Sequence, residues 1–359
     1  MGIAGCYAPG FFIAHLYAKM CGYPPDGFSA PYQWALIFTS LFFTGLGIFL
    51  LRHILLLFFS DKLCAAILIL IVLGTNFLFH AGLDGTMPHN FLFSLNCLII
   101  LLTIKWHETL LPKYVFLLAT VLAFAALCRP TELVWILVPL FYGIKGKNSL
   151  IEKIKLIVGK RKQLFLSGLI MLLIFMPQFI YWKWAAGYWR EFNNHTERFS
   201  FFSPYTIDFL FSYKKGWLIY TPLMILSILG FIYIFQNRRY LFLALFLFFL
   251  INLYVVSSWD CWWYAASFSQ RPMVESLPIM AIALGHFLEA SWLKGILFKI
   301  TVTTCLICLL FLNLFQTWQY SNGIIDSERM NKAYYWKTFL RTSVSEEDKK
   351  LIESEIHLK

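Results

Sequence analysis

Charge is what this 359-residue chain has least of. Asp, Glu, Lys and Arg make up 14% of it and hydrophobic residues 59%, where a soluble domain carries roughly 25% charge. That shortage excludes an ordinary soluble globular protein and leaves an integral membrane protein. Period-two alternation of apolar and polar residues is also missing, which argues against an outer-membrane barrel. There is no HExxH, no P-loop and no GxSxG, so the familiar zinc-protease, phosphate-loop and serine-hydrolase chemistries have no carrier. Internal repeats and low-complexity linkers are absent as well. The start, MGIAGCYAPG, lacks a basic segment followed by a short apolar core, so no secretory signal peptide is visible and the first spanning helix must direct insertion.

Two features that are present look more specific than they are. The eight cysteines mostly fall inside apolar runs, where a thiol behaves as a small hydrophobe. Cys305 and Cys308 form a CxxC, but within the apolar string LICLL, so a metal or redox role is not expected. The net charge of +11 could suggest nucleic acid, yet Lys145, Lys147, Lys153, Lys155, Lys160, Arg161 and Lys162 lie in one stretch between two apolar segments. That pattern marks a cytoplasmic loop facing anionic lipid, and no nucleic-acid partner is expected.

The apolar runs approach the ~20 residues that a spanning helix needs. They predict an all-α, polytopic membrane helix bundle of about ten spans, near 32–58, 63–82, 88–105, 109–127, 131–145, 164–182, 217–235, 240–257, 275–290 and 298–317. The loops after the first, third, fifth, seventh and ninth of these are basic, and one orientation places them all in the cytoplasm. Residues 1–31 then lie on the outer face as an apolar, interfacial segment broken by YPPDGFSAP. Either this segment crosses unaided, or an upstream helix precedes it in a longer frame; the second reading fits better. Residues 1–317 form one membrane domain, and 318–359 form a short non-cytoplasmic tail, polar from Ser321 onward and too small for a domain of its own.

The residues able to do chemistry collect in outer-face loops. In DGTMPH, His89 can bind phosphate when protonated or relay a proton, with Asp84 nearby; both can also be plain interfacial polars. In CRPTE, Arg129 can hold a phosphate through its bidentate fork, or it can cap a hairpin by pairing with Glu132. In YKKGW, Lys214 and Lys215 sit on the outer face against the positive-inside bias, where they can engage a phosphate or snorkel. The densest loop is WDCWWYAASFSQRP. It crowds Trp259, Trp262, Trp263, Tyr264, Phe268, Gln270 and Arg271 together, more aromatics than an interfacial belt requires. Aromatic faces beside Arg and Gln suit a sugar and its phosphate. Asn194-His195-Thr196 matches a glycosylation sequon, a short and common pattern. No pair of acidic residues stands out as acid and base.

Four segments together carry a resemblance: YAPGFFIAHLYAKMCGYPPDGFSAPYQ (Tyr7–Gln33), MPHNFLFSL (Met87–Leu95), ALCRPTELV (Ala126–Val134) and WWYAASFSQRPMVESLP (Trp262–Pro278). In order and spacing the chain resembles the GT-C superfamily of multi-span glycosyltransferases, over nearly its whole length. It looks most like the bacterial branch akin to protein mannosyltransferases and lipopolysaccharide-core transferases. Its last segment resembles a WWxGxSFGxR-type loop in which Ala265 and Ser269 stand where glycines are usual.

The resemblance implies a polyprenyl-phosphate sugar as donor, a glycan, lipid or protein as acceptor, and inverting transfer at a site facing the periplasm from the bacterial inner membrane. It implies that Arg271, Arg129, Lys214 and His89 meet the phosphate and that Trp262 and Trp263 wall the sugar, with Lys215 and Gln270 also substrate-binding. Such proteins carry an essential acidic motif in a first outer loop after a first helix. This chain begins past that point, so the base is expected upstream and Asp26 is not promoted to the role. The superfamily admits a divalent metal, although no ligand cluster here demands one. The competing class is a transporter or flippase of a lipid-linked anion. It is disfavoured because the polar residues cluster at one face and no paired halves are visible.

Overall fold

A computed structural model describes residues 1–189 and 198–353 of the chain. The sequon Asn194–Thr196 lies outside the described residues. The described chain is all-helical; outside its helices the extended backbone pairs in one bridge, Phe199 with Trp259. Six helices are long and apolar enough to cross a bilayer: Ala30–Leu56, His89–Thr109, Arg161–Ala186, Arg239–Ser257, Arg271–Trp292 and Ile296–Ser321. They make the chain an integral, multi-pass membrane protein with apolar helix faces against lipid.

In chain order the helices are α1 (Gly2–Met20), α2 (Ala30–Leu56), α3 (Asp61–Leu73), α4 (His89–Thr109), α5 (Pro112–Cys128), α6 (Leu137–Phe141), α7 (Lys147–Gly159) and α8 (Arg161–Ala186). They continue as α9 (Thr206–Phe211), α10 (Trp217–Tyr220), α11 (Met224–Asn237), α12 (Arg239–Ser257), α13 (Leu277–Trp292), α14 (Ile296–Ser321), α15 (Lys332–Thr338) and α16 (Glu346–Glu353). The remaining four expected spans are shorter or broken helices. The expected 63–82 stops at Gly74 and resumes as a π turn at Phe79–Leu83. A Cβ on Gly74 would lie 2.6 Å from the Leu70 carbonyl and 2.9 Å from Leu223. The expected 217–235 is interrupted at Thr221-Pro222, where proline has no N–H to continue the ladder. The expected 131–145 opens as a 3₁₀ turn, Pro130–Ile136, and the expected 109–127 is the 17-residue α5.

The chain divides into two units that interleave in sequence. The first comprises Met1–Phe58, Asp84–His195 and Ile234–Asn252; the second comprises Phe59–Leu83, Thr196–Tyr233 and Leu253–Lys359. In the first, α4 packs against α2 and α5, and α5 also against α8. Trp135 is fully buried there against Phe248, ring centres 4.2 Å apart. α1 lies along α2. The turn that follows α1 is fixed by Asp26, whose carboxylate accepts from the backbone N–H groups of Phe28 (2.8 Å) and Ser29 (2.9 Å). Those two bonds hold the Asp26 carboxyl below its ordinary range.

In the second unit α13 is buried nearly all round and packs on α3 and α14. Gly230 of α11 meets the backbone of Ala283 on α13, a contact that leaves no room for a side chain. The polar tail joins this unit. Ile325, Met330, Tyr334, Tyr335 and Ile352 share one buried cluster with Tyr220 and Phe268. The end of α14 is polar to meet it: Gln316 donates to the Tyr335 hydroxyl (2.9 Å), and Gln319 to the carbonyls of Thr338 (2.9 Å) and Arg341 (2.8 Å).

Candidate functional site

In the second unit, the lysine loop and the aromatic loop are tied together. Lys215 is 2% exposed, and its ammonium donates to the Ala265 carbonyl and to Ser267 Oγ (3.3 Å). Burial pulls its pKa down to about 7, with Arg271 and Lys214 adding to the effect and Glu328 opposing it. Next to it Lys214 holds its ammonium 3.7 Å from the centre of the Trp263 ring, close enough for a cation–π contact. Trp263 and Trp262 stand edge to face, centres 5.9 Å apart.

The aromatic loop needs unusual backbone to do this. Tyr264, Ala265 and Ser269 take φ of 55°, 50° and 55°, the left-handed region that costs a side-chain-bearing residue about 1–2 kcal/mol. Local bonds compensate. The Tyr264 hydroxyl donates to the Val256 carbonyl (2.8 Å), Ser267 Oγ donates to the Ser269 carbonyl (3.2 Å), and Ser269 Oγ pairs with Thr221 Oγ1 (3.3 Å). Tyr264 in turn packs on Trp259, and the Arg271 guanidinium lies 5.9 Å from its ring centre. Asp260 is bound into the scaffold, accepting from Ser200 Oγ (2.6 Å) and the Arg198 N–H (3.2 Å).

Two buried side chains that the sequence did not single out fix the far end of this loop. Asn76 Nδ2 donates to the Gln270 carbonyl (3.0 Å), and His80 Nε2 is 3.0 Å from the Phe268 carbonyl. Both lie around the π turn after α3. An Asn and a His inside an apolar run were the available signal, since a buried polar group without a task is costly. Gln270 itself is fully buried.

The first unit holds the other two candidates. His89 is buried at the start of α4, and Arg129, partly buried and extended (φ −152°), links α5 to the 3₁₀ turn. Glu132 on that turn is 1% exposed and accepts from Asn96 Nδ2 at 2.8 Å. Asn96 is seven residues beyond His89, two turns along the same face of α4. The second unit repeats the local device. Arg271-Pro272 opens the 3₁₀ turn Arg271–Ser276, which carries the buried Glu275. In both places proline at the first turn removes an N–H that would have no partner.

The structure therefore brings Lys214, Lys215, Trp262, Trp263, Gln270 and Arg271 onto two joined loops of one unit. His89 and Arg129 belong to the other unit. The first set offers cations and aromatic faces, which together can hold a phosphate and the apolar face of a sugar. Among the described residues, no group of three or more His, Cys, Asp or Glu could hold a metal ion. Cys305 and Cys308 are both exposed on α14. No family model, curated protein or solved structure matches this chain.

Proposed function

We propose that this chain is a membrane glycosyltransferase that moves a sugar from a polyprenyl-phosphate donor to an acceptor hydroxyl at the non-cytoplasmic face. The observation that carries the reading is the joined pair of loops. Lys215 clamps the aromatic loop from within, leaving Lys214 over Trp263 and Arg271 beside Tyr264. In the proposed reaction the acceptor oxygen bonds to the anomeric carbon with inversion. The bond from that carbon to the phosphate oxygen breaks, and its electron pair leaves with the polyprenyl phosphate. A carboxylate takes the acceptor's proton. Arg271 and Lys214 stabilise the charge growing on the phosphate, while Trp262 and Trp263 receive the sugar. Lys215 and Gln270, both buried, are positioning residues for the loop. No base is assigned among the described residues.

The test is reconstitution in vesicles with labelled polyprenyl-phosphate sugars. Release of polyprenyl phosphate in step with glycosylation of an acceptor supports the reading. Movement of intact donor between leaflets with no release would overturn it in favour of a transporter.

A further inference from the structure

The turn between α7 and α8 combines two features that the proposed transfer does not use. One is a cavity of about 320 Å³, lined mainly by apolar side chains that include Leu118, Leu122, Ile157, Leu164 and Met171. Lys153 is the charged member of that lining. The other is an open cleft of about 470 Å³ formed by residues 158–163, with Lys160, Arg161 and Lys162 on it. The two are contiguous along the chain, because Ile157 and Leu164 of the cavity flank the cleft residues on either side.

The surroundings fit a lipid-facing site. Lys153 pins α7 to the bundle by donating to the carbonyls of Pro139 (2.9 Å) and Tyr142 (3.0 Å). Beside Lys153, α7 shows Leu150, Ile151, Ile154 and Val158 at 41–53% exposure. Spaced at i, i+1, i+4 and i+8, they form one apolar stripe. A helix with such a stripe beside a run of cations lies in the membrane interface.

We propose that the α7–α8 turn binds an anionic phospholipid, with the phosphodiester head group on Lys160, Arg161 and Lys162 and one acyl chain in the cavity. Charge complementarity selects the head group, since three cations within three residues attract an anionic leaflet. The cavity selects the chain. A free phosphate would satisfy only the cleft, and a zwitterionic phospholipid would gain little from the cations.

The experiment uses the full chain purified in mild detergent and equilibrated with mixed micelles of phosphatidylglycerol and phosphatidylcholine. Lipid retained per protein is counted by mass spectrometry. Phosphatidylglycerol is expected to be retained in preference, and Lys160→Gln, Arg161→Gln and Lys162→Gln should each weaken retention by about fivefold. Gly168→Leu fills the cavity from its own wall, where an added Cβ meets nothing within 4 Å. It should lower retention with the cations intact and the variant still monodisperse. Equal retention of the two lipids, or retention unchanged in the triple glutamine variant, would overturn the proposal. So would inorganic phosphate displacing the lipid while Gly168→Leu has no effect, because the site would then recognise the anion alone.

Discussion

The ammonium of Lys215 donates to the carbonyl of Ala265, fifty positions further along the chain. That bond closes the lysine loop on the aromatic loop, and it uses the ammonium that the sequence offered for a ligand.

Lys215 titrates near 7 in the fold and near its ordinary 10.5 in the unfolded chain. Between those values the unfolded state holds more of the proton, so stability rises with pH across that window. The contribution is fully present above 10.5 and is lost as pH falls through 7. Thermal midpoints of the detergent-solubilised chain should climb from pH 7 toward pH 10. In Lys215→Met that climb should shrink, and an unchanged slope would show that other groups set it.

Ala265 occupies the left-handed region at φ 50° while its side chain is exposed. Replacing it by glycine relieves strain without removing a contact, so Ala265→Gly should stabilise by about 1 kcal/mol. Ala265→Val should destabilise by at least as much. Thermal unfolding of the three proteins checks the order.

Asn96 donates to the buried carboxyl of Glu132. Asn96→Leu removes a donor from a group that has almost no contact with solvent, at a cost of about 2 kcal/mol. The double variant Asn96→Leu/Glu132→Leu should recover part of that loss, which a thermodynamic cycle measures.

Tyr334 is buried among the residues that unite the tail with the lysine and aromatic loops, and its hydroxyl donates to the Ile324 carbonyl at 2.9 Å. Tyr334→Ala should cost about 3 kcal/mol or more, and Tyr334→Phe only about 1 kcal/mol. If limited proteolysis removes the tail from wild type and Tyr334→Ala at the same rate, the tail is not anchored as described.

Helical class and membrane insertion were legible because length and apolarity are one-dimensional properties. The runs at 32–58 and 298–317 reappear as α2 and α14 with ends shifted by a few residues. Breaks were less legible. A Cβ on Gly74 would meet Leu223, some 150 residues away, and no local window contains that contact. Among the candidate residues, Trp263 and Lys214 stood out by type, but the direction of a lysine did not. Lys214 and Lys215 are chemically identical neighbours; one lies on an indole and the other is buried. Ala265 and Ser269 both take the left-handed backbone that glycine adopts most readily, which their own side chains did not announce. Asn76 and His80 were passed over because they lie inside an apolar run, and their partners are carbonyls of the aromatic loop.

Glycosyl transfer through Arg271 is put to the test by the rate of sugar transfer from polyprenyl-phosphate donors in vesicles holding wild type, Arg271→Lys or Arg271→Ala at matched amounts of folded protein. Turnover by wild type is expected, with a partial loss in Arg271→Lys and a fall of roughly a hundredfold or more in Arg271→Ala. Turnover that is unchanged in Arg271→Ala would contradict it.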